Sequence, residues 1–178
     1  MSEGPFYEDS QLIQDKRIEG TFDDRKGSET KWTVSRNKDN KRYTIQLIDG
    51  DSKPELTGAL FQLGDALFLD LFPLKESPAK RVPGGAPSTS EILRVIMAER
   101  KHFVMKVEFT EDGVSFWYPA GNSVAFASMK APELKVKVIG EMGVLIFPSS
   151  PKESQKYLLR FAKDATVFSS KGHLIRKK

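Results

Sequence analysis

The 178-residue chain predicts a mainly β fold: an antiparallel meander curling into a barrel or half-barrel, with one C-terminal α-helix packed on it. Three stretches carry that prediction. In Tyr43-Thr44-Ile45-Gln46-Leu47 apolar and polar residues alternate, which sets Tyr43, Ile45 and Leu47 on one face of a strand. Leu67-Phe68-Leu69-Asp70-Leu71-Phe72 is bulky on both faces, as in a strand covered on both sides, and Pro73 ends it for want of an amide hydrogen. Ser150-Pro151-Lys152-Glu153 spells a helix start, with a Ser cap, Pro at the first helical position and Glu three residues after the cap.

The other elements follow in order. Residues 1–16 read as an extended lead-in that packs at a few points through Phe6, Tyr7, Leu12 and Ile13. Residues 17–23 form a first strand around Gly20, Arg25-Lys26-Gly27-Ser28 a turn, and residues 30–35 a second strand with Trp32 and Val34 on one face. Asp49-Gly50-Asp51 turns the chain into a strand over 56–63, and Gly64-Asp65 turns it again. Residues 74–87 hold Pro78, Pro83, Gly84, Gly85 and Pro87 and predict an exposed loop. Ser88-Thr89-Ser90-Glu91 matches a capping box, so a short helix near 89–99 is an option, with a strand as its rival. Phe103, Met105, Val107 and Phe109 mark a strand, Glu111-Asp112-Gly113 a hairpin turn and 114–118 the return. Residues 120–130 are ambiguous, with a turn or two of helix as one reading. Leu134, Val136 and Val138 alternate with Lys135 and Lys137, giving a strand with one wet face, and 144–147 gives another. The helix led by Pro151 should run to about Lys163, with Tyr157, Leu158 and Phe161 on its buried side. Thr166-Val167-Phe168 suggests a short edge strand, and 171–178 a solvated basic tail.

Composition narrows the classes. One domain over 1–178 is long enough to bury a core without staples. Cysteine is absent, which removes disulfides, thiolate metal sites and cysteine nucleophiles. Lys171, Arg176, Lys177 and Lys178 account for the whole +4 net charge, so the body is electrically balanced and lacks the basic patch of a nucleic-acid binder. No apolar run is long enough for a transmembrane helix, and residues 1–5 do not make a signal peptide. The expected compartment is the periplasm or envelope if an export signal has been removed, and otherwise the cytoplasm.

The chemistry-bearing residues are few. Asp70, a carboxylate between Phe68 and Phe72, is either a buried acid with a raised pKa or a strand carboxylate tied to donors. His102 opens a strand after Arg100-Lys101 and is the other catalytic candidate, while His173 lies in the basic tail. Two histidines do not make a metal centre, and no metal or cofactor is expected. Gly50-Asp51-Ser52 matches three residues of an esterase signature without its Asp-x-x-His partner, and there is no nucleophile elbow, phosphate loop or dinucleotide fingerprint. Trp32, Trp117 and Tyr118 are candidate ligand-binding aromatics, Trp117 first, because Phe116 and Trp117 must point to opposite faces.

Phe6-Tyr7, Leu12-Ile13, Ile18-Glu19-Gly20-Thr21-Phe22, Leu63 through Pro73, the run His102 to Val107 and the segment 149–168 carry a resemblance. Together they resemble a family of small bacterial envelope proteins, many made as lipoproteins. That group is loosely similar to lipocalins, with Gly20-Thr21-Phe22 standing where Gly-x-Trp is usual and the other lipocalin signatures missing. The resemblance implies envelope placement and no activity. Three functions stand as expectations: a non-enzymatic domain that binds a protein partner, a carrier of a small apolar ligand, and an enzyme using Asp70.

Overall fold

In the computed structural model, which describes residues 1–24, 29–48, 53–74, 99–119, 122–139 and 142–177, eight strands close into an antiparallel barrel. They are β1 (Gly20–Asp23), β2 (Lys31–Arg36), β3 (Tyr43–Ile48), β4 (Glu55–Leu63), β5 (Ala66–Pro73), β6 (Phe103–Phe109), β7 (Gly113–Tyr118) and β10 (Ser170–Arg176). The first seven pair in sequence order, and β10 returns to lie between β7 and β1. The excursion before β10 holds α1 (Asn122–Lys130), the hairpin of β8 (Lys135–Ile139) and β9 (Met142–Ile146), and α2 (Pro151–Phe161).

The solvated tail expected over 171–178 is therefore corrected: most of it is the strand that closes the barrel. Its apolar signal is thin because inward-facing Gly172 has no side chain of its own. The Phe116 ring fills that space, and a Cβ on Gly172 would stand 2.2 Å from it. The tail's charges are also engaged. The Arg176 guanidinium lies 4.7 Å from the centre of the Phe22 ring and donates to the carbonyls of Glu19, at 2.7 Å, and Arg17. Those carbonyls belong to the short 3-10 turn Lys16–Ile18 and the residue after it, so Arg176 clasps the last strand to the start of the first. Lys177 adds an ion pair with Asp23 at 3.3 Å.

Two apolar layers result from the pleat of the strands. Inside the barrel pack Phe22, Trp32, Val34, Tyr43, Ile45, Leu60, Leu69, Leu71, Met105 and Phe116. Outside β4, β5 and β6 a second layer holds Ala59, Phe61, Leu63, Phe68 and Val104, covered by Phe6, Tyr7 and Leu12 of the lead-in, by α1, and by Leu158 and Phe161 of α2. This is why β5 is apolar on both faces. β9 contributes to both layers: Val144 joins the inner one and its neighbour Leu145 the outer one.

Four further expectations change. Residues 166–168 form a turn with Val167 and Phe168 buried, not an edge strand. Val136 and Val138 are exposed, because β8 stands outboard of β9 and pairs with nothing else among the described residues. Ser150 caps α2 without a side-chain bond, so the capping box does not form; Pro151 still opens the helix, and the Ser154 hydroxyl bonds the Pro148 carbonyl at 2.6 Å. His173 is not free in solvent but lies on β10, hydrogen-bonded to Ser115. The turns expected at 25–28 and 49–51, the loop over 74–87 beyond Leu74, and the helix near 89–99 short of Glu99 lie outside the described residues.

Candidate functional site

The register of β4, β5 and β6 lines up Ala59, Asp70 and Val104, all on the barrel's outer face. Asp70 is 2% exposed there, and its Oδ2 lies 2.7 Å from His102 Nδ1. The His102 ring stacks on Phe72 at 4.5 Å, and its backbone exchanges two 2.9 Å hydrogen bonds with Ser2. The α-amino group of Met1 is buried close by and donates to the Leu145 carbonyl. Burial pulls that amine down to about 5, against the attraction of Asp70. Burial likewise raises the Asp70 carboxyl, against the His102 hydrogen bond and charge, the Phe6 amide and the Met1 charge. Asp70 Oδ1 has no hydrogen-bond partner among the described residues.

Asp70 and His102 are thus brought together, which spacing alone did not foretell. The pair lies under the lead-in, and neither residue lines the small cavity inside the barrel or the cleft beside the β4–β5 turn. A folded-state carboxyl raised above its unfolded value binds its proton more readily when folded. Folding therefore gains as pH falls through the raised value toward the ordinary carboxylate range, and loses as pH rises. Asp70→Asn keeps an acceptor for His102 and removes the buried charge. Its stability relative to the wild type should be greatest at neutral pH, where the buried carboxyl is most disfavoured, with the gain shrinking toward pH 4. Urea unfolding of both proteins between pH 4 and 8 checks this; a gain that grows with acid would contradict it.

The aromatic candidates do not converge. Trp32 and Tyr118 belong to the inner layer, linked through Phe116 at 6.5 and 6.2 Å, and Trp32 Nε1 has no hydrogen-bond partner among the described residues. Trp117 faces outward, with the ammonium groups of Lys106 and Lys171 at 5.7 and 5.2 Å from its ring centre. The cavity inside the barrel is about 20 Å³ and its walls, Ile18, Phe22 and Trp32 among them, are apolar or aromatic. That is far below the ~300 Å³ at which small-molecule sites begin. A larger cleft of about 780 Å³ opens where the β4–β5 turn meets the end of α2. It mixes Arg17, Lys106 and Lys163 with Asp65 and Glu108 and gathers no single chemistry.

Sequence reasoning missed a second polar chain. Ser115 Oγ lies 2.9 Å from His173 Nδ1, and His173 Nε2 lies 3.3 Å from Asp112 Oδ1. The Thr110 hydroxyl and then His173 hold the Asp112 carboxyl below its ordinary range. The three residue types are those of a hydrolytic triad, but Ser115 is 2% exposed. Its hydroxyl is closed to a substrate and instead ties β10 to β7 and its hairpin turn. No three His, Asp or Glu side chains among the described residues cluster as metal ligands would. Among the described residues no helix is long and apolar enough to cross a membrane.

The accessible apolar groups lie elsewhere. Phe126 and Met129 on α1 are 45% and 69% exposed, and Val136 and Val138 on β8 are 45% and 70% exposed; the other exposed large apolar residues among those described, Leu74 and Leu159, lie after β5 and on α2. The inner side of α1, Val124 and Ala127, is buried in the outer layer beside Leu145, so the exposed residues of α1 and β8 sit on the solvent side of one packed module. Comparison with family models, curated proteins and solved structures finds no match to the chain.

Proposed function

We propose that this protein is a non-enzymatic interaction domain that meets another protein through the module of α1 and β8. One observation carries the reading: large apolar side chains are displayed on this module, while the barrel interior is filled. A carrier needs room for its cargo, and the interior offers about 20 Å³. An enzyme using Asp70 needs a substrate to reach it, and the carboxylate is buried under the lead-in. Exposed Phe and Met side chains suit partner recognition, since aromatic residues and Met are enriched at protein interfaces. Envelope placement rests on the resemblance alone.

A photo-reactive amino acid at position 126 or 129, introduced in cells that make the protein, tests the reading. A discrete protein adduct is expected, absent when the same group stands at Asn40 in the β2–β3 loop. No adduct, or the same adducts from position 40, would contradict it.

A further inference from the structure

We infer that the partner docks as an added strand on the edge of β8 that is unpaired among the described residues, and that the docking segment is extended, acidic and alternating. This rests on the interaction reading above and specifies its partner.

In its two-stranded sheet β8 pairs only with β9 among the described residues, so one edge presents unpaired backbone donors and acceptors. All of Lys135, Val136, Lys137 and Val138 are exposed, so both pleated faces of the strand are accessible beside that edge. β9 anchors the other edge firmly. Its Val144 and Leu145 are buried in the two layers, and Phe147 just beyond it bonds the Met1 carbonyl at 2.8 Å. A strand edge on a fixed support is the geometry of β-augmentation, in which main-chain bonds give affinity and alternate side chains give choice.

The side chains select the partner. Lys135 and Lys137 point to one face, opposite apolar Ile146 and Val144, and Val136 points to the other, opposite Leu145. Glu99 pairs with Lys137, and Lys135 has no ion-pair partner among the described residues. A strand alternating carboxylates with β-branched residues would set its acids against the lysines and its apolar groups against Val136 and Val138. A second copy of this chain fits less well. An antiparallel pairing centred on Val136 sets lysine opposite lysine, and like charges directly opposed destabilise a sheet. The lysines thus discourage self-association at this edge while leaving it open to an acidic strand.

The test uses a soluble peptide alternating Glu and Val, its Lys–Val counterpart, and the full chain. The Glu–Val peptide should bind, slow amide exchange across 135–138, and weaken as salt rises. Lys135→Glu, a surface change, should lower that affinity tenfold or more and admit the Lys–Val peptide. The inference is overturned if the Glu–Val peptide fails to bind, if it binds without protecting β8, or if both peptides bind alike. A concentration-dependent dimer that protects β8 would overturn it in favour of a second copy. An adduct at position 126 with no protection of β8 would remove strand addition and leave the interaction reading standing; absence of any adduct would remove the latter.

Discussion

Deletion of residues 170–178 should abolish cooperative thermal unfolding. The removed strand bridges β7 and β1, and its loss opens the barrel along both ladders. Phe22, Val114 and Phe116, buried in the intact inner layer, would then meet water. Each such side chain is worth roughly 1.5–3 kcal/mol when buried, and a domain has only about 5–15 kcal/mol in total. The loss also strips Ser115 of its His173 partner and releases the Arg176 clasp on the turn before β1. Calorimetry of the truncated chain should show no sharp transition. Removal of residues 177–178 alone, which spares the strand, should leave the transition in place. A truncated protein melting within a degree or two of the full chain would mean that β10 contributes nothing.

The second large effect concerns the outer layer. Phe68→Ala should lower stability by about 3–5 kcal/mol, the range for deleting a buried Phe side chain. Phe68 is fully buried, stacks on Phe61 at 5.6 Å and tilts against Phe168 at 6.0 Å. It therefore joins the barrel wall to the turn after α2, and its loss leaves a cavity that two rigid surfaces cannot collapse into. Urea denaturation checks the value. A loss below about 1 kcal/mol would show that the helices and lead-in lie on the barrel without sharing its core.

The barrel was largely legible because its inner residues alternate. Tyr43, Ile45 and Leu47 announce β3, and the doubly apolar β5 announces that something covers the wall. What hid was set by partners distant in sequence. β10 reads as a tail since Gly172 borrows Phe116 for its packing and Lys171 and Arg176 lie over aromatic rings. Val136 and Val138 alternate as a half-buried strand would, yet burial requires a neighbour, and on the outboard side of β8 there is none among the described residues.

The Asp70–His102 contact was hidden for a different reason. Both residues lie on the outer face, but the connection from β5 to β6 is too long for turn chemistry to fix their register. A slip of one residue would send His102 to the other face. Asp70 as an oddity among phenylalanines was visible; its partner was not. Trp117 pointing away from Phe116 was visible from parity alone, whereas the two lysines beside it depend on the pairing of β6, β7 and β10.

The most direct test of the closed barrel is amide hydrogen exchange across Ser170–Arg176. If this segment is the eighth stave, amides such as those of Gly172 and Leu174 should exchange as slowly as those in the middle of β4 and β5, near the limit set by global unfolding. Exchange at the rate of an unstructured peptide over 170–176, with β4 and β5 still protected, would contradict the closed barrel.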